Sequence, residues 1–333
     1  MILNPAIIAL ITSSLLIVGY AIYASAVGYQ IIRWWDIQSG SERQLNLERK
    51  TYLISTVMAY MFGFGLFSLV LFIYTADHIH DFFIGAMCAA GSLNVNQYGY
   101  PALTVKVVSF ILCGVWLILN YTDNKAVDYP LIKVKYKFLM FITGLLIFET
   151  YLLANYFFDL KANVITSCCG ILFSEETKSI AGEIASLPSF TTKIIFYLSV
   201  VLTIRVGVQF YLTGRPANLF SYFSGWLFLI SLVSIISFIS LYFYEMPTHH
   251  CPFCLLQKEY HYIGYPLYLS LFTAGITGIG VGVLERVKGA ASLTSVIPQI
   301  QKKLCLFSMI GYAIFALITS FPMIFSDFRL EGY

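Results

Sequence analysis

Charge is what this sequence has least of. Of its 333 residues only 11% are Asp, Glu, Lys or Arg, while 59% are hydrophobic and the mean hydropathy is +0.78. Soluble domains carry about 25% charged residues, so this composition belongs in a bilayer. The 17 acidic residues are scattered, with no carboxylate pair at metalloenzyme spacing. Phosphate loops, hydrolase elbows and dinucleotide fingerprints are missing. A net charge of +3 gives no reason to expect nucleic acid. There is no CxxCH, which argues against covalent c-type haem, and no histidine lies deep in an apolar run to ligate b-type haem. The first apolar run ends in Ala24-Ser25-Ala26, but no basic residue precedes it. It is expected as a retained helix, not a cleaved signal peptide.

What the sequence has is long apolar runs. A membrane span takes about 20 mostly apolar residues. Eight segments qualify, approximately 5–29, 51–76, 102–121, 138–158, 194–213, 220–244, 262–284 and 304–325. They are too long and too evenly apolar for outer-membrane barrel strands. Tyr and Phe cluster near their ends, as interfacial aromatics do. These features predict an all-α, polytopic membrane helical bundle of about eight transmembrane helices, a single integral membrane domain over 1–333. Whether the spans form one bundle or two halves is open at this level. The Gly264–Gly282 stretch reads as a span with small residues for close helix contact.

Basic residues set the expected orientation. Arg33, Arg43, Arg49, Lys50, Lys125, Lys133, Lys135, Lys137, Arg215, Arg286, Lys288, Lys302 and Lys303 fall on one side; Lys161, Lys178, Lys193, Lys258 and Arg329 fall on the other. The basic side is predicted cytoplasmic and both termini periplasmic, in a bacterial inner membrane. Outer loops are then expected at about 77–101, 159–193 and 245–261, and cytoplasmic ones at about 30–50, 122–137, 214–219 and 285–303. Residues 34–50 read as a short surface helix or solvated linker.

The cysteines and histidines, which play no part in placing these loops, gather on the outer side. Cys88 falls in the first outer loop, Cys168 and Cys169 in the second, Cys251 and Cys254 in the third. His78, His80, His249, His250 and His261 also fall on the outer side. Cys113 is mid-membrane, where it is expected to pack as a small apolar residue, and Cys305 is at the opposite edge. Thiols in an oxidising compartment pair, cycle or bind metal.

Cys251-Pro252-Phe253-Cys254 is a CxxC, expected at the start of a helix with Pro252 in the first turn. Such a site favours a thiolate at Cys251. At that spacing two sulfurs close a disulfide or grip one metal. "CPFCLLQK" resembles the motif of the DsbB group of membrane thiol oxidoreductases, and the vitamin K epoxide reductase group likewise sets a CxxC at the outer mouth of a bundle. The resemblance implies a disulfide exchanged with quinone. Cys254 would face the quinone, Cys251 would pass the disulfide on, and Gln257 and Lys258 would occupy the quinone side, Lys258 standing where the family has Arg. It also implies a second, loop-borne pair, for which Cys88 with Cys168 or Cys169 are candidates.

The remaining groups carry alternative readings. Cys168 and Cys169 are adjacent, and a vicinal disulfide would be strained, so separate partners or a shared soft metal are expected. Asp77, His78, His80, Asp81 and Cys88 offer nitrogen, oxygen and sulfur donors; in a helix all but His78 would share roughly one face. His249, His250 and His261 flank the CxxC, where they would tune a thiolate or shuttle protons, His261 on the cofactor side; alternatively Cys251, Cys254, His249 and His250 together hold zinc or copper, although adjacent histidines rarely serve one ion comfortably. Glu149 and Arg205 are the charges nearest mid-membrane and are expected to pair. Lys106 is expected to snorkel to the interface.

The sequence therefore supports a membrane thiol–disulfide oxidoreductase working with quinone or a periplasmic redox partner. The alternatives are a metal- or haem-handling membrane protein, acting alone or with a permease, and an accessory membrane subunit braced by disulfides.

Overall fold

The computed structural model describes residues 3–162, 164–166 and 180–330. Eight long helices carry the apolar runs: α1 Pro5–Trp34, α2 Glu42–His78, α3 Gly99–Asp123, α4 Ile132–Phe158, α5 Ser189–Thr213, α6 Ala217–Tyr244, α7 Gly264–Arg286 and α8 Val296–Phe325. Each is long and apolar enough to cross a membrane, so the chain is an all-α, multi-pass membrane protein. Helices suit lipid because they satisfy their own backbone groups. Large apolar side chains such as Leu16, Phe67, Leu212 and Leu317 lie exposed along them, as a surface facing acyl chains requires. Short helices span Ala89–Leu93 and Ile180–Ala185. Among the described residues the β pairing is a single bridge between Ile84 and Ile165.

The helices outrun the apolar stretches that mark them. Residues 34–50 are not a separate surface helix: nothing breaks the chain between Glu42 and Thr51, and the charged turns run straight into α2. At the other end Asn4 caps α1, its Oδ1 accepting the Ala6 N–H at 2.9 Å, with Pro5 in the first turn.

The chain divides into two compact units. The first comprises Met1–Thr75, Asn96–Ala162 and Arg286–Ile300. Within it α4 packs on α1 and α3, around a core that includes Ile17, Ala24, Met58, Phe62, Trp116, Tyr136 and Leu139. Two ion pairs are buried in this unit. Lys135 Nζ lies 2.7 Å from Asp123 Oδ2, with both side chains fully buried. Lys135 also donates to Asn120 Oδ1 at 3.1 Å, and Asp123 Oδ1 accepts the Leu131 N–H at 2.8 Å, closing the turn between α3 and α4. Lys135 is thus no surface charge, and it drops out of the basic-side count. The second pair joins Lys106 Nζ to Glu149 Oε1 at 2.7 Å, with both side chains buried. This corrects two expectations. Glu149 pairs with Lys106 and not Arg205, which is exposed on α5 in the other unit. Lys106 does not snorkel, because the adjacent α4 offers it a carboxylate that would be costly to bury alone. Cys113 packs in the apolar core as expected.

The second unit comprises Ala76–Val95, Asn163–Glu285 and Gln301–Tyr333. Here α5 packs on α6, and Val206, Phe210, Phe220, Val281 and Cys305 share one cluster. Small residues set the spacing: a Cβ on Gly278 of α7 would lie 1.8 Å from Ser224 Oγ of α6. Near its end α6 widens into a π turn at Ile235–Ile239.

Candidate functional site

The CxxC does not open a helix. Glu245 takes a left-handed conformation (φ 53°) and ends α6. Pro247 and Pro252 then deny the next residues a helical N–H ladder. The chain continues through a 3-10 turn at Cys254–Leu256, an extended Gln257 (ψ 161°), and a second 3-10 turn at Lys258–Tyr260. His261 and Tyr262 have φ of 54° and 56°, and α7 starts only at Gly264. The helix-dipole activation expected for Cys251 therefore has no long helix to supply it. Tyrosines hold the segment instead: the Tyr244 hydroxyl donates to the Cys251 carbonyl at 2.6 Å, and Tyr268 donates to the Pro252 carbonyl at 2.7 Å.

The first loop is not one helix either. After α2 come a 3-10 turn at His80–Phe82, a left-handed Gly85 (φ 88°) and an extended Cys88, which precedes the helix Ala89–Leu93. Asp77, His80, Asp81 and Cys88 thus share no helix face. Backbone pairing pins this turn: Ile84 N–H donates to the Val164 carbonyl at 3.1 Å, Thr166 N–H to Ile84 at 2.9 Å, and the Thr166 hydroxyl to Gly91 at 3.1 Å.

These two irregular segments, 163 residues apart in sequence, meet inside the second unit. The sulfurs of Cys88 and Cys251 are 3.6 Å apart and buried. Those of Cys88, Cys251 and Cys254 all lie within 4.8 Å of one another. The Cys88–Cys251 separation is far beyond an S–S bond of about 2.05 Å, so these are sulfurs in contact. His249 Nε2 is 3.4 Å from Cys254 Sγ, its ring set edge-on against Tyr244. Gln257 Nε2 donates to the Met87 carbonyl at 2.7 Å and to Asp77 Oδ1 at 3.3 Å. Asp77 Oδ1 also accepts the Ala89 N–H at 3.1 Å. Beside the cluster the Tyr260 phenol is pushed above its usual pKa, first by burial and then by Cys254, Glu259 and Cys251.

The neighbouring candidates are placed elsewhere. His250 turns away from His249, and its Nδ1 donates to the Ile236 carbonyl in the π turn of α6 at 2.8 Å. His80 is held by the Asp77 carbonyl and by Asp81, 3.2 Å from its Nε2. His78, Lys258 and His261 are exposed. Cys168 and Cys169 lie outside the described residues. The Asp77–Gln257 contact has no sequence signal, because its partners are 180 residues apart.

The donor set can be tested against metal geometry. A tetrahedral ion with M–S of about 2.3 Å and M–N of about 2.0 Å sets S···S near about 3.8 Å and S···N near about 3.5 Å. The Cys88–Cys251 distance of 3.6 Å matches the S···S edge, the three sulfurs all lie within 4.8 Å of one another, and His249 reaches the S···N edge distance at Cys254 alone. Soft thiolates favour Cu(I) and Zn(II), so the three sulfurs could hold such an ion; His249 touches Cys254 but does not belong to the group of donors that all lie within 4.8 Å of one another. Cys88 and Cys251 are wholly buried and Cys254 nearly so, as in a closed metal site. No protein-family model, curated protein or solved structure matches this chain.

Proposed function

We propose that the protein is a multi-pass membrane protein that binds one thiophilic cation, Zn²⁺ or Cu⁺, through Cys88, Cys251 and Cys254. The observation that carries this reading is the mutual approach of three buried sulfurs within 4.8 Å. A thiolate cluster buried together needs a counter-charge, because isolated buried anions are costly. A divalent ion on three thiolates leaves a net charge of −1. The asymmetry of basic residues supports a periplasmic position for the cluster in a bacterial inner membrane, where metal ions would reach it from outside the cytoplasm. The chain's residues supply three buried sulfurs, with Tyr244 and Tyr268 holding the backbone carbonyls of Cys251 and Pro252.

The test is metal analysis of the full-length protein, purified under reducing conditions in detergent and reconstituted with Zn²⁺ or Cu⁺. One equivalent per chain is expected, lost in Cys254→Ser and Cys88→Ser. A wild-type protein that takes up neither ion overturns the proposal.

The Cys88–Cys251 contact of 3.6 Å favours a second reading, thiol–disulfide exchange. One thiolate attacks a partner protein's disulfide, and the other then displaces the partner from the mixed disulfide. The net change is a Cys88–Cys251 bond and two partner thiols, two electrons and two protons having moved to the partner. The resemblance of CPFCLLQK to the DsbB motif would make quinone the alternative acceptor. Thiol trapping in native membranes separates the readings: cycling between dithiol and disulfide with quinone supply, in a metal-free protein, supports the second.

A further inference from the structure

The Asp77 carboxylate and the Gln257 amide spend their hydrogen bonds on backbone and on each other, gripping the chain on both sides of Cys88. Gln257 donates to the carbonyl of Met87, the residue before it. Asp77 accepts the N–H of Ala89, the residue after it. The two side chains also bond each other at 3.3 Å. Gln257 itself follows Cys254 by three residues, and its backbone N–H closes the 3-10 turn on the Cys254 carbonyl at 3.0 Å. A continuous chain of hydrogen bonds thus runs from the CxxC turn to the cysteine 163 residues away.

We infer that Asp77 and Gln257 are positioning residues that set Cys88 Sγ against Cys251 and Cys254. This rests on the metal reading for its main readout but not for its second. The chemistry required of each is specific. Gln257 must donate through its amide nitrogen to two acceptors at once, which Met cannot do at similar size. Asp77 needs only an accepting Oδ1, so Asn can replace it. Outer-shell partners of metal ligands typically change affinity about ten- to a hundredfold.

The experiment uses full-length Gln257→Met, Asp77→Ala and Asp77→Asn in detergent, with Co²⁺ as the spectroscopic probe. Wild type should show the intense visible bands of tetrahedral thiolate-bound Co²⁺. Gln257→Met and Asp77→Ala should bind about ten- to a hundredfold more weakly with altered bands, while Asp77→Asn should keep the wild-type affinity and spectrum. The second readout needs no metal. Limited oxidation by diamide, which takes up the two thiol hydrogens, followed by peptide mapping, should give mainly Cys88–Cys251 in wild type. In Gln257→Met and Asp77→Ala the product should shift toward Cys251–Cys254. Co²⁺ that binds nowhere, with the disulfide shift present, sinks the metal reading and leaves the positioning role standing. Wild-type affinity, spectrum and disulfide partition in both Gln257→Met and Asp77→Ala overturn the inference. So does an Asp77→Asn protein as impaired as Asp77→Ala, because the charge and not the hydrogen bond would then be what acts.

Discussion

Removing the Lys135 ammonium should expose how much of the first unit rests on one ion pair. In Lys135→Met the flexible thioether refills most of the stem's volume, so the loss is chiefly electrostatic. Asp123 then remains fully buried with its Leu131 N–H bond but no cation. Breaking a buried pair from one side costs about 3–5 kcal/mol, a drop of roughly two to four decades in the folding equilibrium at about 1.4 kcal/mol per decade. The double variant Lys135→Met/Asp123→Asn removes the stranded charge, while the Asn Oδ1 can still accept from Leu131. Its cost should fall to about 1–2 kcal/mol, reflecting imperfectly satisfied amide hydrogens. Reversible unfolding in mixed micelles measures both, with fluorescence of Trp116, whose Nε1 donates to the Lys135 carbonyl at 3.2 Å, as a local reporter. A single variant within about 1 kcal/mol of wild type, or a double variant as unstable as the single, would refute the reasoning.

Three further outcomes are expected. Lys106→Met should destabilise by about 3–5 kcal/mol because it strands Glu149, whereas Lys106→Met/Glu149→Leu should come close to wild type or exceed it; the same unfolding assay decides. Gly85→Ala should cost about 1–3 kcal/mol, since its φ is +88° and a Cβ would lie 2.6 Å from the Thr166 carbonyl; faster limited proteolysis around residue 85 is the measurement. For Tyr260 the folded pKa is raised, so its contribution is intact below the ordinary phenol value of about 10 and is lost as pH climbs from there toward the folded value. Tyr260→Phe should flatten that alkaline loss, read as the pH midpoint of unfolding.

The features legible in residues alone rest on transfer free energies, which are local and additive along a span. Eight apolar runs became eight helices because a helix satisfies its own backbone groups in lipid and the runs are too long and evenly apolar for barrel strands. The clustering of Cys and His between particular spans was legible for the same reason, as was the burial of Cys113. Statements about neighbours failed. Lys135 looked like a loop charge because hydropathy counts a lysine as polar wherever it lies, and only the packing of α4 on α3 shows Asp123 waiting for it. Glu149 was matched to Arg205 by depth, but lateral position decides partners, and α3 brings Lys106. The CPFC motif read as a helix start from Pro252 alone, whereas Pro247, the left-handed His261 and Tyr262, and the tyrosine anchors hold it in 3-10 turns. Sequence by itself determined a helical membrane protein with cysteines gathered between its spans. Only the tertiary structure decided that Cys88 joins Cys251 and Cys254, with His249 beside them and His250 turned away, because side chains 163 residues apart meet through backbone turns that no local pattern encodes.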